Sequence, residues 1–176
     1  MLSLPLPIRT KRLTLRAFRA DDGAALYEYL GDAETVFFEP YDALTRAASD
    51  AEAARRANDP AFFAVCLDEK LIGNVYLGPA DEPGAAEIGY VMNRAYRGHG
   101  YATEAARAVV DAAFSRGVSK ICAGCAENNP NSWRLLERLG MRLIERVAHA
   151  ATFKKDAEGH DIWLDARRYE LMRPEK

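Results

Sequence analysis

A short turn with two glycines, Arg97-Gly98-His99-Gly100-Tyr101-Ala102, is the stretch of the chain best suited to chemistry. It lies between a strand-like segment, Ala86–Val91, and a helix predicted to begin at Thr103. Glycine lets the backbone approach a ligand closely, and the first amides of a helix have no acceptor inside it. The helix dipole adds partial positive charge at that end. The turn therefore predicts a site for a phosphate or pyrophosphate group.

The spacing of the turn departs from two common phosphate motifs. No Gly-Lys-Ser/Thr follows it, as a P-loop requires. Gly98 and Gly100 are followed by Thr103, where the dinucleotide fingerprint needs a third glycine. A nucleotide-binding oxidoreductase is therefore the weakest of the functions considered, because a ribose-binding acid after a following strand is not convincing either.

Two segments after the turn are patterned like helices that pack on a sheet. The first carries an apolar stripe at i, i+3, i+4, i+7 and i+8 spacing, and Gly117 ends it. Its members are Ala102, Ala105, Ala106, Val109, Val110, Ala113 and Phe114. In the second segment Asn129 is a good N-cap, Pro130 suits the first helical position and Gly140 suits the residue after the end. Capping does not account for Ser132.

These segments together resemble the acetyl-CoA motif of the GNAT superfamily of N-acetyltransferases. The resemblance is carried by Glu87-Ile88-Gly89-Tyr90-Val91, then by Arg97–Ala105, and then by Asn129–Met141 in the order that the family requires. At the other end of the chain, Arg12-Leu13-Thr14-Leu15-Arg16 and the acidic pair after it resemble the branch that includes the ribosomal-protein N-terminal acetyltransferases.

The resemblance implies an acetyl-CoA-dependent N-acetyltransferase. A primary amine, either a protein N-terminus or a small-molecule amine, would attack the thioester directly in a ternary complex. The likeness covers residues 9–173, which we interpret as a single N-acetyltransferase domain. A non-catalytic acyl-CoA-binding or regulatory protein on the same fold stays open, because the tyrosine that many relatives carry on the last helix corresponds to Leu136 here.

The resemblance also implies which residues hold the co-substrate. The turn would bind the CoA pyrophosphate on its amides, and the end of the preceding strand would bind the pantetheine arm, with the Val91 amide as oxyanion donor. Gly89 inside that strand predicts a local irregularity. The residues expected to contact CoA are Val91, Met92, Asn93, Arg97, Gly98, His99, Gly100, Tyr101, Ala102, Asn129 and Ser132.

Two residues are expected to carry the proton transfers. Glu87 lies on the strand where many relatives have a general-base glutamate, although it could equally be an exposed carboxylate at the strand edge. Ser132 becomes the candidate acid for the leaving thiolate because Leu136 replaces the usual tyrosine. The alternative is that the Ser132 hydroxyl contacts only backbone or CoA.

The elements that must position these residues alternate between strands and helices. Predicted strands cover residues 9–18, 61–67, 71–77, 85–92, 120–126, 143–153 and 162–172, and predicted helices cover residues 21–30, 47–58, 103–116 and 130–139. This order predicts an α/β (α+β) fold with three layers, α/β/α, around a mixed sheet. The resemblance implies that the sheet is mostly antiparallel and splayed between strands 4 and 5. The polar second helix is expected on the surface, over the acceptor site.

Composition narrows the class of protein and its partners. The chain has 176 residues, 49% of them hydrophobic, and a formal net charge of −2. Neither nucleic acid nor a membrane is expected as a partner, and Met1–Pro5 lacks a signal-peptide pattern. A cytoplasmic protein is therefore expected, as a monomer or a homodimer.

The cysteines and histidines do not predict a metal site. Cys122 and Cys125 fall on a predicted strand, where they would face opposite sides, and we expect buried thiols. His149 and His160 stand alone, without the spacing of metal ligands. No metal is expected among the cofactors.

Overall fold

The computed structural model describes residues 4–174, so part of the Met1–Pro5 segment for which no signal-peptide pattern was found lies outside the described residues. The strands are β1 (Ile8–Arg9), β2 (Leu13–Ala17), β3 (Phe62–Leu67), β4 (Lys70–Pro79), β5 (Ala85–Met92), β6 (Lys120–Ala126), β7 (Arg142–Lys155) and β8 (Asp161–Met172). The helices are α1 (Gly23–Leu30), α2 (Arg46–Ala57), α3 (Tyr101–Ser115) and α4 (Pro130–Arg138). Within the described residues the strands form one eight-stranded sheet in the order β1-β2-β3-β4-β5-β6-β8-β7.

The sheet is mixed and mostly antiparallel. β5 and β6 form its parallel pair, and their pairing runs only from Ala85 opposite Lys120 to Glu87 opposite Cys122. Beyond that point the two strands diverge, since β5 continues to Met92 and β6 to Ala126 without further pairing to each other. The predicted splay between the fourth and fifth predicted strands is confirmed here.

Helices cover both faces of the sheet, which confirms the three-layer arrangement. α3 and α4 pack on one face around Val109, Val110 and Leu136. α1 and α2 pack on the other face, around Leu26, Tyr29 and Ala53. Burial of these apolar stripes supplies the main stabilisation of the fold, at roughly 25 cal/mol per Å² of apolar surface.

The prediction of one continuous strand over residues 9–18 is wrong, because this segment forms two strands, β1 and β2. The chain turns between β1 and β2, where the Thr10 hydroxyl accepts a hydrogen bond from the Leu13 amide at 2.9 Å. In the same turn the Arg12 amide donates to the Glu104 carboxylate at 2.9 Å. These side-chain bonds replace strand pairing and anchor the N-terminal segment on the start of α3.

The first and third helices also begin elsewhere than predicted. A 3-10 turn occupies Ala20–Asp22, so α1 begins at Gly23. α3 begins at Tyr101, two residues before the predicted Thr103, because Gly100 at φ +80° forms its N-cap. Among residues 4–174, no helix combines the length and the apolar composition needed to cross a bilayer.

Candidate active site

A cavity of about 1380 Å³ opens where β5 and β6 diverge. It is bounded by β5, the turn before α3, β6, the start of α4, β7, β8 and the segment between α1 and α2. Most of the predicted site residues lie on its wall: Glu87, Val91, Met92, Arg97, Gly98, Gly100, Tyr101, Ala102, Asn129 and Ser132. The splay of the sheet therefore brings together residues that are far apart in sequence.

The turn before α3 presents a run of free backbone amides. After Arg97, Glu104 is the next residue whose backbone amide donates a hydrogen bond, to the Gly100 carbonyl at 3.0 Å. The amides of residues 98–103 thus have no acceptor in the part of the chain that the structure describes. Gly98 and Gly100 lie at φ +82° and +80°, a left-handed conformation that favours glycine. The turn has the geometry of an anion site at a helix N-terminus.

Two guanidinium groups flank these amides. The Arg97 side chain donates to the Thr35 hydroxyl at 3.3 Å, which ties the turn to the segment between α1 and α2. The Arg138 side chain, from the end of α4, donates to the Thr103 hydroxyl at 3.4 Å. Both arginines line the cavity, so fixed positive charge adds to the helix dipole at this end.

The register of β5 decides which of its amides face the opening. Asn93 donates to the Ile72 carbonyl of β4 at 2.9 Å, and hydrogen-bonded pairs alternate along an antiparallel ladder. Val91, opposite Asn74, therefore directs its amide to β4, whereas Tyr90 and Met92 direct theirs to the opening. The assignment of the Val91 amide as oxyanion donor is wrong for this reason.

β6 contributes the opposite backbone edge. Arg173 donates to the Ser119 carbonyl at 2.9 Å, which places the odd-numbered residues of β6 in hydrogen-bonded pairs with β8. Gly124 therefore turns its backbone groups to the opening. A Cβ added at Gly124 would meet no atom within 4 Å. The cavity is thus open over this glycine.

Two of the expected cofactor residues do not line the cavity. Asn93 is buried, and its side chain accepts from the Ala95 amide at 3.0 Å, so it caps a 3-10 turn. His99 is exposed, with its ring stacked on Tyr101 at 5.6 Å between ring centres. Of the groups of His99, the free backbone amide is therefore the one that lies in the turn.

Glu87 lies exposed on β5 and lines the cavity on the face of the sheet that carries α1 and α2. Burial of the neighbouring Tyr76 phenol raises the pKa of Tyr76, and the charge of Glu87 adds to that shift. Gly89 follows on the same face, and a Cβ there would lie 3.9 Å from Tyr76. The pairing of β5 with β4 is continuous through Gly89, so the predicted irregularity is wrong.

The segment between α1 and α2, not α2 itself, covers this side of the cavity. It contributes Glu34, Thr35, Phe38, Glu39 and Pro40 to the wall. The polar helix α2 was expected over the acceptor site, but no residue of α2 lines the cavity. α2 instead packs on α1.

Glu39 is a carboxylate on the wall that the sequence did not single out. Burial raises its pKa, and the positive charge of Arg56 opposes that shift. Arg56 is itself buried and donates to Glu52 at 2.6 Å and to Asn74 at 3.0 Å. A partly buried carboxylate with a raised pKa in a cavity is a candidate proton acceptor.

Ser132 stands in the first turn of α4, where its amide donates to the Asn129 side chain at 3.3 Å. The Tyr90 hydroxyl lies 3.0 Å from the Ser132 hydroxyl oxygen and 3.1 Å from the Ser132 carbonyl oxygen. Burial raises the pKa of the Tyr90 phenol, and the bond to Ser132 only partly opposes this. Ser132 is thus contacted by Asn129 at its backbone amide and by Tyr90 at its hydroxyl and carbonyl oxygens.

Cys122 and Cys125 were expected to be buried thiols, and this is wrong, whereas Cys66 is buried. Cys122 and Cys125 are partly exposed, and Cys125 lines the cavity beside Ser132. Burial raises the pKa of Cys125 to about 11. Away from the cavity, His160 is not isolated as expected: it lies with Asp156 and Glu158, their ligand atoms within 4.8 Å of one another, in the exposed β7–β8 turn.

Tyr90 and Glu39 differ in whether sequence could reveal them. Tyr90 lies inside the motif, and its position as an even-numbered neighbour of Ile88 places it on the α3–α4 face. Whether the Tyr90 hydroxyl contacts Ser132 depends on how far β5 and β6 diverge, and the sequence pattern does not determine that distance. Glu39 falls in an irregular segment without periodicity, so no sequence signal marks it.

Comparison with known proteins places the fold and the motif in one family. A family model described as acetyltransferase (GNAT) domain matches residues 12–142. The uncharacterized N-acetyltransferase YnaD of Bacillus subtilis (strain 168) is 31% identical over 172 residues, covering 96% of this chain and 98% of that protein. The family match includes the turn and α4.

Solved structures agree with this placement. A GNAT-family acetyltransferase from Bacillus anthracis superposes with a TM-score of 0.84 at 27% identity, over 96% of this chain and 99% of that one. RimL, the ribosomal L7/L12 α-N-protein acetyltransferase, in complex with coenzyme A, shares the fold with a TM-score of 0.79 at 17% identity, over 94% of this chain and 97% of that one. Since the family model spans well over half of the chain and YnaD is similar along almost all of it, the chain belongs to the GNAT family of acetyltransferases and is an N-acetyltransferase.

Proposed function

We propose that the chain transfers the acetyl group of acetyl-CoA to a primary amine, either a protein N-terminus or a small-molecule amine, by direct attack in a ternary complex. One observation carries this: the free amides of residues 98–103 and the unpaired edges of β5 and β6 open into the same cavity. RimL, bound to coenzyme A, shares the fold. We also propose that residues 9–173 act as one acetyltransferase domain, since their strands form one sheet.

The co-substrate would use both parts of the cavity. The pyrophosphate would accept hydrogen bonds from the free amides of the turn, with Arg97 and Arg138 beside it. The pantetheine arm would lie along the open edge of β5. The amides of Tyr90 and Met92 then replace that of Val91 as candidate donors to the thioester oxygen as negative charge develops on it.

Proton transfers complete the reaction. The amine nitrogen attacks the thioester carbon, the C–S bond breaks, and the nitrogen loses a proton. Glu87 would take that proton, with Glu39 as the second carboxylate able to do so. The Ser132 hydroxyl would give its proton to the departing thiolate. A protein α-amine has a pKa of about 8 and a lysine amine about 10.4, so an α-amine needs less help from the base.

The direct test is release of CoA thiol from acetyl-CoA with a panel of amines. The panel contains a peptide with a free N-terminus and blocked lysines, the same peptide with the N-terminus blocked and a lysine free, a polyamine and an aminoglycoside. Mass spectrometry identifies the acetylated nitrogen, and titration calorimetry measures acetyl-CoA binding.

The outcomes separate the alternatives. Thiol release with at least one amine, together with an acetylated product, supports the transferase. Binding of acetyl-CoA without turnover of any amine would favour the non-catalytic acyl-CoA-binding protein. Absence of binding would contradict the assignment of the cavity to CoA.

A further inference from the structure

Tyr90 connects the two sides of the splayed sheet. It belongs to β5, and its hydroxyl reaches the first turn of α4, which follows β6. Backbone pairing between β5 and β6 has already ended at Glu87 and Cys122. The ring packs against the core of the α3–α4 face, so the hydroxyl is held at Ser132 by the body of the side chain.

The Tyr90 hydroxyl has a single proton to donate. The acceptor of that proton decides whether the Ser132 hydroxyl proton is free to point into the cavity. If Tyr90 donates to the Ser132 carbonyl at 3.1 Å, its oxygen can accept the serine proton, which then points away from the cavity. If Tyr90 donates to the Ser132 hydroxyl oxygen at 3.0 Å, the serine proton is left free. The carbonyls of a first helical turn already accept helix bonds, which favours the second arrangement.

The surroundings keep the phenol in its donor form. Burial raises the pKa of Tyr90, so the hydroxyl stays protonated at neutral pH. The titratable groups that act on it are Ser132's neighbour Cys125, Arg138 and Tyr169. Cys125 also has a pKa raised by burial, to about 11, so it adds no negative charge at neutral pH.

We propose that Tyr90 is a positioning residue for the acid step. It donates its hydroxyl proton to the Ser132 oxygen, which turns the serine proton toward the cavity and stabilises the serine oxygen when that proton leaves. The thiolate receives the serine proton, and a proton from solvent restores the serine. The inference rests on the proposed function, because it assigns a partner to the acid proposed there.

The experiment compares Tyr90→Phe, Ser132→Ala and the double variant. If Tyr90 acts through Ser132, Tyr90→Phe lowers kcat about tenfold or more, with the KM for acetyl-CoA within about twofold. The double variant is then no slower than Ser132→Ala alone, because the two residues act as one unit. Thermal unfolding and the KM are measured for every variant.

Tyr29→Phe is the matched control. Tyr29 also carries a buried hydroxyl that joins a helix to a strand, donating to Asn74 at 3.0 Å, and neither residue lines the cavity. This variant should lose stability and keep kcat. If the Tyr90 hydroxyl only stabilises the fold, Tyr90→Phe should behave like this control, with lower stability and unchanged kcat.

Several outcomes would overturn the inference. It is wrong if folded Tyr90→Phe keeps kcat within about threefold, or if the losses of the two single variants multiply in the double variant. A wild-type protein that turns over none of the amines contradicts the proposed function instead, and wild-type turnover is therefore established first.

A second measurement applies if Tyr90→Phe does not fold. Site-specific tetrafluorotyrosine at position 90 keeps the hydroxyl but lowers the pKa of the phenol by several units, enough to offset the raised pKa of Tyr90, and a phenolate has no proton to donate. The alkaline fall of kcat should then move to lower pH than in the wild type. An unchanged pH profile would contradict the role of Tyr90.

Discussion

At the scale of single residues, the cavity holds two carboxylates with different surroundings. Glu87 is exposed on a strand that the motif predicts, whereas Glu39 is partly buried in an irregular segment. Burial raises the pKa of Glu39, which suits a group that must accept a proton near neutral pH. Both are candidates for the base, and substitution of each separates them.

Glu87→Gln should lower kcat by roughly 10²–10⁴-fold, because loss of a general base has that cost. The loss should be larger for a lysine-like acceptor than for an α-amine, whose nitrogen is more often neutral at pH 7. The acidic limb of the pH profile should shift as well, since that limb reports protonation of the base.

The control for this change is Glu82→Gln, which alters an exposed carboxylate paired with Lys120 outside the cavity. It should leave kcat and its pH profile unchanged. If Glu87→Gln keeps kcat within about threefold while Glu39→Gln loses activity, the base is Glu39 and the assignment to Glu87 is wrong.

At the residue scale, the placement of side chains inside the motif could be predicted from sequence, whereas the direction of backbone amides could not. Glu87 and Ser132 were both placed on one cavity, as expected. The Val91 amide was misassigned because hydrogen bonding alternates with register, and register depends on the partner strand β4. Asn93 was misassigned because its side chain caps the next turn.

At the scale of elements, the turn before α3 depends on the left-handed backbone of Gly100. Valine at that position would force a strained conformation, at about 1–3 kcal/mol, and would displace the adjacent amides. Gly100→Val should therefore raise the dissociation constant for acetyl-CoA more than about tenfold, equivalent to 1.4 kcal/mol. Titration calorimetry on the folded variant measures this.

Gly117→Val provides a control at the other end of the same helix. Gly117 lies at φ +92°, and a Cβ there meets no atom within 4 Å, so the backbone strain is similar. This variant should lose comparable stability and bind acetyl-CoA normally. Unchanged affinity in folded Gly100→Val would contradict the assignment of the turn to CoA.

The hydrogen bonds from Thr10 and Arg12 to Glu104 on α3 predict a pH-dependent contribution to the stability of the fold. Glu104 accepts from the Thr10 hydroxyl at 2.6 Å and from the Arg12 guanidinium at 2.7 Å. Partial burial alone would raise the pKa of Glu104, but these hydrogen bonds outweigh it and lower the pKa. The stabilisation is therefore present above the unfolded-state pKa of about 4.3 and is lost as pH falls through the lower folded-state value.

Glu104→Gln should reduce the free energy of unfolding at pH 7 by about 1–3 kcal/mol, as expected for lost charge-assisted hydrogen bonds. Urea unfolding of the wild type and the variant at several pH values measures the difference. The difference should shrink below about pH 4. A constant difference at all pH values would contradict the role of the ionised carboxylate, and exposed Asp111 on the same helix supplies the control Asp111→Asn.

Element boundaries show where the local pattern was sufficient. β5 and β6 begin and end as predicted, because their apolar runs are bounded by turn residues and the helix caps that follow. Residues 9–18 were predicted as one strand from the alternation of Arg12-Leu13-Thr14-Leu15-Arg16, and nothing in the local pattern marks the turn at Thr10–Arg12. Their separation depends on Glu104, a contact across the molecule that no local pattern contains.

At the scale of the whole molecule, the open sheet edge predicts how co-substrate binding affects the backbone. The amides of Tyr90, Met92 and Gly124 should exchange their hydrogens quickly without ligand and more slowly with acetyl-CoA. Val91 is an internal control, since its amide is already paired with β4. Hydrogen exchange followed by NMR measures each amide, and saturation at 100 times the dissociation constant should stabilise the fold by about 2.7 kcal/mol.

Slowed exchange confined to Val91, with Tyr90 and Met92 unaffected, would contradict the path proposed for the pantetheine arm. The whole-molecule prediction from sequence was otherwise accurate for the layers and for the splay, because the family resemblance supplied the topology. It failed for the cover of the cavity, where the irregular segment before α2 replaces the helix itself.

Unpaired strand edges generally invite pairing with other chains, which leads to aggregation. The outer edges of this sheet are protected by ordinary means: β1 is only 2 residues long, and β7 is interrupted by shifts of register. The inner edges of β5 and β6 are longer unprotected stretches, but they lie inside a cleft between two layers of helices. A neighbouring sheet is too broad to enter such a cleft, whereas a single extended chain is not. The fold therefore leaves this backbone edge accessible to a single extended ligand and inaccessible to the edge of another sheet.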